Sequence, residues 1–236
     1  MPEKDQLSSV RIVALGLIAV LIFLIYIAGK WGLADAYARP AIIQLEAWQA
    51  GNRQLTDEDW EKHATSLRRA LNLDPDNPEI LQWLGVAVEG RYIRFEPAYT
   101  YAVESRHAAA DYYRRSIKLR PTWPYCWTYL ALVKYRSNEI DGEFFSVLHS
   151  AVAYGPHQPG IQNVVSELGI LLWPALPEAE HEFILKVMKD GLANSDRVRV
   201  NRLMDLIRDR GFLSTSCPLF QDDQEFQKYC ASNLNK

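Results

Sequence analysis

Catalysis or metal binding in this chain would have to rest on five histidines, three cysteines and one dense acid–histidine group. The histidines are His63, His107, His149, His157 and His181. None stands four residues from another, and no cysteine or carboxylate completes a zinc-ligand spacing. Glu178, Glu180, His181 and Glu182 form the densest acid–histidine group. They open a helix, where negative charge is favoured by the positive end of the macrodipole, so the expected role is capping. The acid pair Asp57 and Glu58 has no cleft signal beside it. No phosphate loop, Gly-rich dinucleotide turn or Gly-x-Ser-x-Gly elbow is present. The residues therefore predict no cofactor, no metal and no enzyme. Cys126 sits between Tyr125 and Trp127 at a helix start and reads as packing. Cys217 and Cys230 admit two readings. In an oxidising compartment they pair and pin the tail, worth ~3 kcal/mol for so short a loop. Otherwise they are two unrelated thiols.

The elements that carry these residues follow a cadence. Ala70 precedes Pro75 and Pro78, Ser116 precedes Pro121 and Pro124, and Ala151 precedes Pro156 and Pro159. The chain thus writes Ala/Ser-x4-Pro-x2-Pro three times, at spacings of 46 and 35 residues. The small residue lets a neighbouring helix approach near a helix end. The first proline stops that helix, because it has no N–H and clashes with the preceding turn. The second proline fits the first turn of the next helix. The shorter spacing is close to the tetratricopeptide period, and the longer one is the same unit with about a dozen residues added. Large and small residues fall where such a unit needs them. His63 and Leu67 precede Ala70, Ala109 and Tyr113 precede Ser116, and Phe144 and Leu148 precede Ala151. After the proline pairs come Leu81, Leu84 and Gly85, then Trp127, Leu130 and Ala131, then Gln162, Val165 and Ser166. The predicted fold class is all-α, with tetratricopeptide-like helical hairpins.

Ile12 to Gly29 carries no charge over eighteen residues and is bounded by Arg11 and Lys30. At about 1.5 Å per residue it spans ~27 Å, enough for a bilayer core. Ala36-Tyr37-Ala38 offers the small-residue spacing of a signal-peptidase site, but the apolar stretch is long and Pro40 follows the cut, so an uncleaved anchor is expected. Lys4 and Arg11 precede the span, which predicts a cytoplasmic tail, an inner-membrane location and a periplasmic body. Residues 31–236 hold 23 basic and 27 acidic side chains, a net charge of −4, which argues against nucleic-acid binding.

The expected organisation is a tail over residues 1–11, a membrane helix over 12–30, repeats over 31–173, and capping helices with a tail over 174–236. A first soluble helix is expected to start at Pro40 and run through Trp48. Thr56 is expected to cap the next helix in a box with Asp59. An insertion over 90–104 carries Arg91, Tyr92, Arg94, Phe95, Tyr99 and Tyr101. Beyond Pro174 the cadence fades. Two amphipathic helices around 183–191 and 200–207 read as a terminal pair that seals the last repeat. Arg197, Arg199, Arg202, Arg208 and Arg210 alternate with Asp196, Asp205 and Asp209, as on a solvated face.

The stretch Arg120-Pro-Thr-Trp-Pro-Tyr-Cys-Trp-Thr-Tyr-Leu-Ala-Leu-Val-Lys134, followed by Asp141-Gly-Glu-Phe144, Gly155-Pro-His-Gln-Pro159 and Gly169–Trp173, resembles the VpsP-type proteins of bacterial exopolysaccharide loci. These are small single-span proteins with a tetratricopeptide-like body. The resemblance covers about two-thirds of the chain and implies an accessory role in making or exporting an extracellular polysaccharide. It implies no catalytic residues, and it does not extend to the 91–104 insertion or the cysteine-bearing tail.

The sequence thus predicts a membrane-anchored repeat scaffold whose partners are proteins of a polysaccharide assembly apparatus. The first helices of such repeats present an inner face, and on this register it carries Gln82, Tyr125, Thr128, Tyr135, Asn163 and Glu167, alongside Val86, Glu89 and Leu132. A polar and aromatic groove of this kind suits a peptide or a glycan. The alternatives are a periplasmic carbohydrate-binding or glycan-modifying protein, with the insertion's aromatic rings and arginines as the platform, and a general periplasmic folding or secretion helper.

Overall fold

The computed structural model describes residues 2–93, 100–194, 197–218, 220–221 and 224–233. Its regular structure is all helical: among the described residues there is no strand. The chain divides into two units, Met1–Leu119 and Arg120–Lys236.

The first unit holds α1 (Pro2–Gln49), α2 (Asp57–Leu73), α3 (Pro78–Gly90) and α4 (Thr100–Leu119). The helix expected to start at Pro40 does not start there, because Pro40 lies inside the continuous α1. The missing proline N–H leaves the Ala36 carbonyl without its helical donor. Both residues are exposed, so water can serve that carbonyl. Packing carries the helix through the fault. Ala34, Ala38, Ala41, Ile42 and Leu45 recur on one face at helical spacing and are all buried. The Ser66 hydroxyl donates to the Tyr37 carbonyl at 3.1 Å, and Trp48 meets Trp60 edge to face at 4.9 Å. The earlier part of α1 is the opposite case. From Val13 it exposes apolar side chains on every side, with a window of mean hydropathy 2.4 and none of it buried. It is long and apolar enough to cross a membrane, a property that signal sequences near an N-terminus share.

Thr56 and Asp59 form the capping box that starts α2: the Asp59 N–H donates to Thr56 Oγ1 at 3.2 Å, and the Thr56 N–H donates to Asp59 Oδ2 at 3.0 Å. Asn77 caps α3 by accepting from the N–H groups of Glu79 and Ile80, and Pro78 occupies the first turn. α3 and α4 then pack as a hairpin. Ser116 donates to the Pro78 carbonyl at 2.7 Å, and Gly85 lies under the Tyr113 ring, where a Cβ would come within 2.5 Å of it. Gly90 makes the same kind of approach to Trp60 of α2. A small residue on the first helix of a hairpin receives a ring from the second, which is the tetratricopeptide-like packing that the cadence requires.

The second unit repeats the plan. It holds α5 (Pro124–Arg136), α6 (Gly142–Tyr154), α7 (Pro159–Leu172), α8 (Glu178–Asn194), α9 (Arg197–Asp209), the short α10 (Leu213–Ser216) and α11 (Gln224–Asn233). Pro124 and Pro159 again sit in the first turn of their helices. Leu130 and Ala131 of α5 are buried with Phe144, Leu148 and Ala151 of α6. α8 packs on α7 as a hairpin, with Gly169 against Ile184 and Gly191 against Gln162 and Ser166. α9 follows that hairpin and packs on α7. Those glycines mark a close helix pair as Gly85 does.

The tail is held by covalent and polar links. Cys217 and Cys230 are disulfide-bonded, with Cα atoms 5.9 Å apart. Gln227 donates to the carbonyls of Cys217 and Phe220, and the Tyr229 hydroxyl donates to the Met204 carbonyl on α9 at 3.0 Å.

Candidate functional site

The structure disperses the residues that chemistry would need. Among the described residues no group of three His, Cys, Asp or Glu side chains is placed to hold a metal ion. His149 of α6 pairs with Glu180 of α8 at 2.9 Å and stacks on Phe183. His181, next in sequence to Glu180, turns away to stack on Trp173 and faces its carbonyl at 3.3 Å. Glu178 and Glu182 are exposed. The dense acid–histidine group of the sequence is therefore divided between two structural contacts. His63 is buried in α2, its Nε2 without a partner among the described residues, and burial holds its pKa below the usual imidazole value.

Sequence reasoning missed a concentrated electrostatic feature among the described residues. Lys134, near the end of α5, has only 2% of its side chain exposed. Its Nζ donates to Glu143 at 2.9 Å, Asp141 at 3.1 Å and Glu139 at 3.3 Å. Burial works against the ammonium charge, but hydrogen bonds to Glu143, Asp141 and Glu139 outweigh it and raise the pKa. A lysine held protonated is no nucleophile. It is a clasp across the turn from α5 to α6, where Asn138 adopts a left-handed φ of 57°. Asp141 serves twice, because its other oxygen caps α6 by accepting the Phe144 N–H at 2.9 Å. That bond is the main reason its pKa lies below the usual carboxylate value, with Lys134 adding to it. The signal was present in the sequence as three acids within nine residues of one lysine.

The six inner-face positions separate by burial. Gln82 belongs to the first unit and is buried. Thr128 is buried, its hydroxyl bonded back to the Pro124 carbonyl at 3.0 Å. Asn163 is buried where Gly191 of α8 comes close, so it belongs to the seam between α7 and α8. Three remain accessible. Tyr125 donates to Gln158 at 3.4 Å, Tyr135 is half-buried, and Glu167 lies 3.6 Å from Arg202 of α9. Burial raises the Glu167 pKa, and Arg202 opposes the shift. The Arg-Pro-Thr-Trp-Pro stretch builds the turn ahead of α5: the Arg120 guanidinium lies 4.0 Å over the Trp123 ring, and the Trp127 indole donates to the Pro121 carbonyl at 2.7 Å.

In the first unit, two cavities of about 220 and 200 Å³ flank Trp60 and Arg91. Tyr92 and Tyr101 of the insertion line the larger one. Arg94, Phe95 and Tyr99 fall outside the described residues.

No protein-family model matches the sequence, and no curated protein matches it. Among solved structures the chain is similar to TTC0263, a thermophilic TPR protein of Thermus thermophilus, at 16% identity over 86% of this chain and 100% of that one, with a TM-score of 0.49. It is similar to PilF of Pseudomonas aeruginosa at 16% identity over 86% and 99%, with a TM-score of 0.36. It is also similar to the MamA protein, at 16% identity over 72% and 91%, with a TM-score of 0.32.

Proposed function

We propose that this chain is a membrane-anchored helical-repeat adaptor that recruits proteins of a bacterial polysaccharide assembly or export apparatus. The observation that carries the reading is the continuity of α1. One helix passes from an exposed apolar stretch into the core of the first unit, where Ala34, Ala38, Ala41, Ile42 and Leu45 are buried. Signal-peptidase cleavage after Ala38 would remove two of those packing residues and the carbonyl that Ser66 holds. An uncleaved anchor keeps them. The second unit offers Tyr125, Tyr135 and Glu167 as accessible contacts for a partner, with buried Thr128 and Asn163 on the same two helices. The pathway rests on the resemblance to the exopolysaccharide proteins, whose most specific stretch is Arg120–Pro124.

The proposed location is the inner membrane, with the body in the periplasm, where the Cys217–Cys230 bond is expected to form. Alkaline phosphatase and a cytoplasm-only reporter, each fused after Lys236, test this. Phosphatase activity is expected from full-length chains that stay in the membrane pellet after carbonate washing, with both tail thiols blocked to alkylation. Activity from the cytoplasmic reporter alone, or a soluble product shortened at Ala38, contradicts the anchor.

A further inference from the structure

The cavities beside Trp60 belong to no contact that the adaptor reading uses. Around the larger one stand Trp60, Tyr92 and Tyr101 with Glu61, Arg91 and Glu104. Arg91 and Trp60 also line the smaller cavity, so the two cavities share these residues. That guanidinium is poorly served. Its Nε is buried with no acceptor among the described residues. Its terminal nitrogens lie 3.6 Å from Asp57 and 3.7 Å from Glu61, at ion-pair rather than hydrogen-bond range. It also lies over the Tyr92 ring, 5.3 Å from the centroid. Arginine presents five N–H donors, and donors facing a cavity favour a ligand rich in acceptors.

The chemistry of the lining narrows that ligand. The larger cavity carries two arginines, Arg91 and Arg68, and two carboxylates, Glu61 and Glu104, with Arg68 paired to Glu61 at 3.2 Å, so the lining has no net charge to favour an anion or a cation. A neutral polyol satisfies both signs, with hydroxyl oxygens accepting from the guanidinium and hydroxyl protons donated to the carboxylates. Tyr101 is 59% exposed, so its ring offers a face to the C–H surface of a sugar at the larger cavity. Each cavity is below the ~300–1,000 Å³ of sites for drug-sized ligands, which suits one sugar ring apiece. We infer that the two cavities are adjacent subsites for a short stretch of neutral oligosaccharide, with Arg91 common to both. The site belongs to the first unit and the accessible partner contacts to the second, and neither needs the other.

The full-length chain in nanodiscs would be titrated with neutral oligosaccharides of glucose, galactose and mannose, and with oligogalacturonate, by saturation-transfer NMR. A neutral oligosaccharide is expected to bind with a Kd near the millimolar range. Tyr101→Ala and Arg91→Gln should each weaken it about tenfold or more at an unchanged melting temperature, whereas the double variant Tyr125→Ala/Tyr135→Ala should bind as wild type. The inference is overturned if no neutral sugar binds up to about 10 mM, well above a millimolar Kd. It is also overturned if only the uronate binds, if both cavity variants bind as wild type, or if the double variant alone loses binding.

Discussion

Gly85→Trp is expected to destabilise the first unit severely. A Cβ at this position already lies 2.5 Å from the Tyr113 ring, and Tyr113 is itself fully buried. An indole therefore has no cavity to enter and must separate α3 from α4. Overpacking in tight cores costs ~1–3 kcal/mol, and here the upper end or more is expected because a ring meets a ring across a helix contact. That corresponds to a melting temperature lower by ~10 °C or more. Ala131→Trp should do the same to the second unit, since Ala131 is fully buried between α5 and α6. Arg199→Ala, on the exposed side of α9, should stay within ~0.5 kcal/mol. Equal melting temperatures for the three variants would mean that the hairpin register is wrong.

The second large effect belongs to Lys134. Lys134→Met keeps most of the buried stem and removes the charge. Glu139, Asp141 and Glu143 then face one another without that counter-ion. Because these carboxylates are partly exposed, they can turn to water, so the loss is set nearer ~2 kcal/mol than the larger cost of breaking a fully buried pair. The pH dependence follows from the shifts. The Lys134 pKa is raised in the fold, so its contribution is complete below the free-lysine value of about 10.4 and is lost as pH climbs through the folded value. The Asp141 pKa is depressed, so its contribution is complete above about 3.9 and is lost as pH falls through its folded value. The gap between wild type and Lys134→Met should therefore be full at pH 7 and shrink below about pH 4, as Asp141 protonates in the unfolded and then the folded chain. Chemical denaturation at several pH values would measure it. A gap that stays constant down to about pH 2, below the usual carboxylate range, would mean that Lys134 acts only through packing.

Much of the fold was legible because local chemistry fixed it. The proline pairs, the Thr56–Asp59 box and the small residues at 85 and 131 each restrict the backbone or the packing by themselves, and α2, α3, α5 and α7 begin where those signals stand. Pro40 misled, because a proline's local preference to end a helix was overridden by the packing of α1 on α2. The α7–α8 hairpin lacks the closing proline pair, and Gly169 and Gly191 are what mark it. The site was less legible still. Inner-face register separates residues by direction, but burial depends on the neighbouring helices, and these take Gln82, Thr128 and Asn163 out of reach. The Lys134 clasp depends on a turn bringing three acids to one nitrogen, which periodicity does not encode.

The claim at the centre of this account is that the chain works by holding partners through the accessible face of its repeats. The most direct test is quantitative cross-linking and purification of the tagged full-length chain from its own membranes, with polysaccharide yield measured in the same cells. Wild type is compared with the triple variant Tyr125→Ala/Tyr135→Ala/Glu167→Ala and with single alanines at His149, Glu178 and His181. The account predicts that the triple variant stays folded and membrane-bound, loses a defined set of inner-membrane proteins and lowers polysaccharide yield, while the single alanines leave both readouts near wild type. A single histidine or carboxylate whose loss abolishes yield while partner capture is intact would contradict it and make the chain an enzyme.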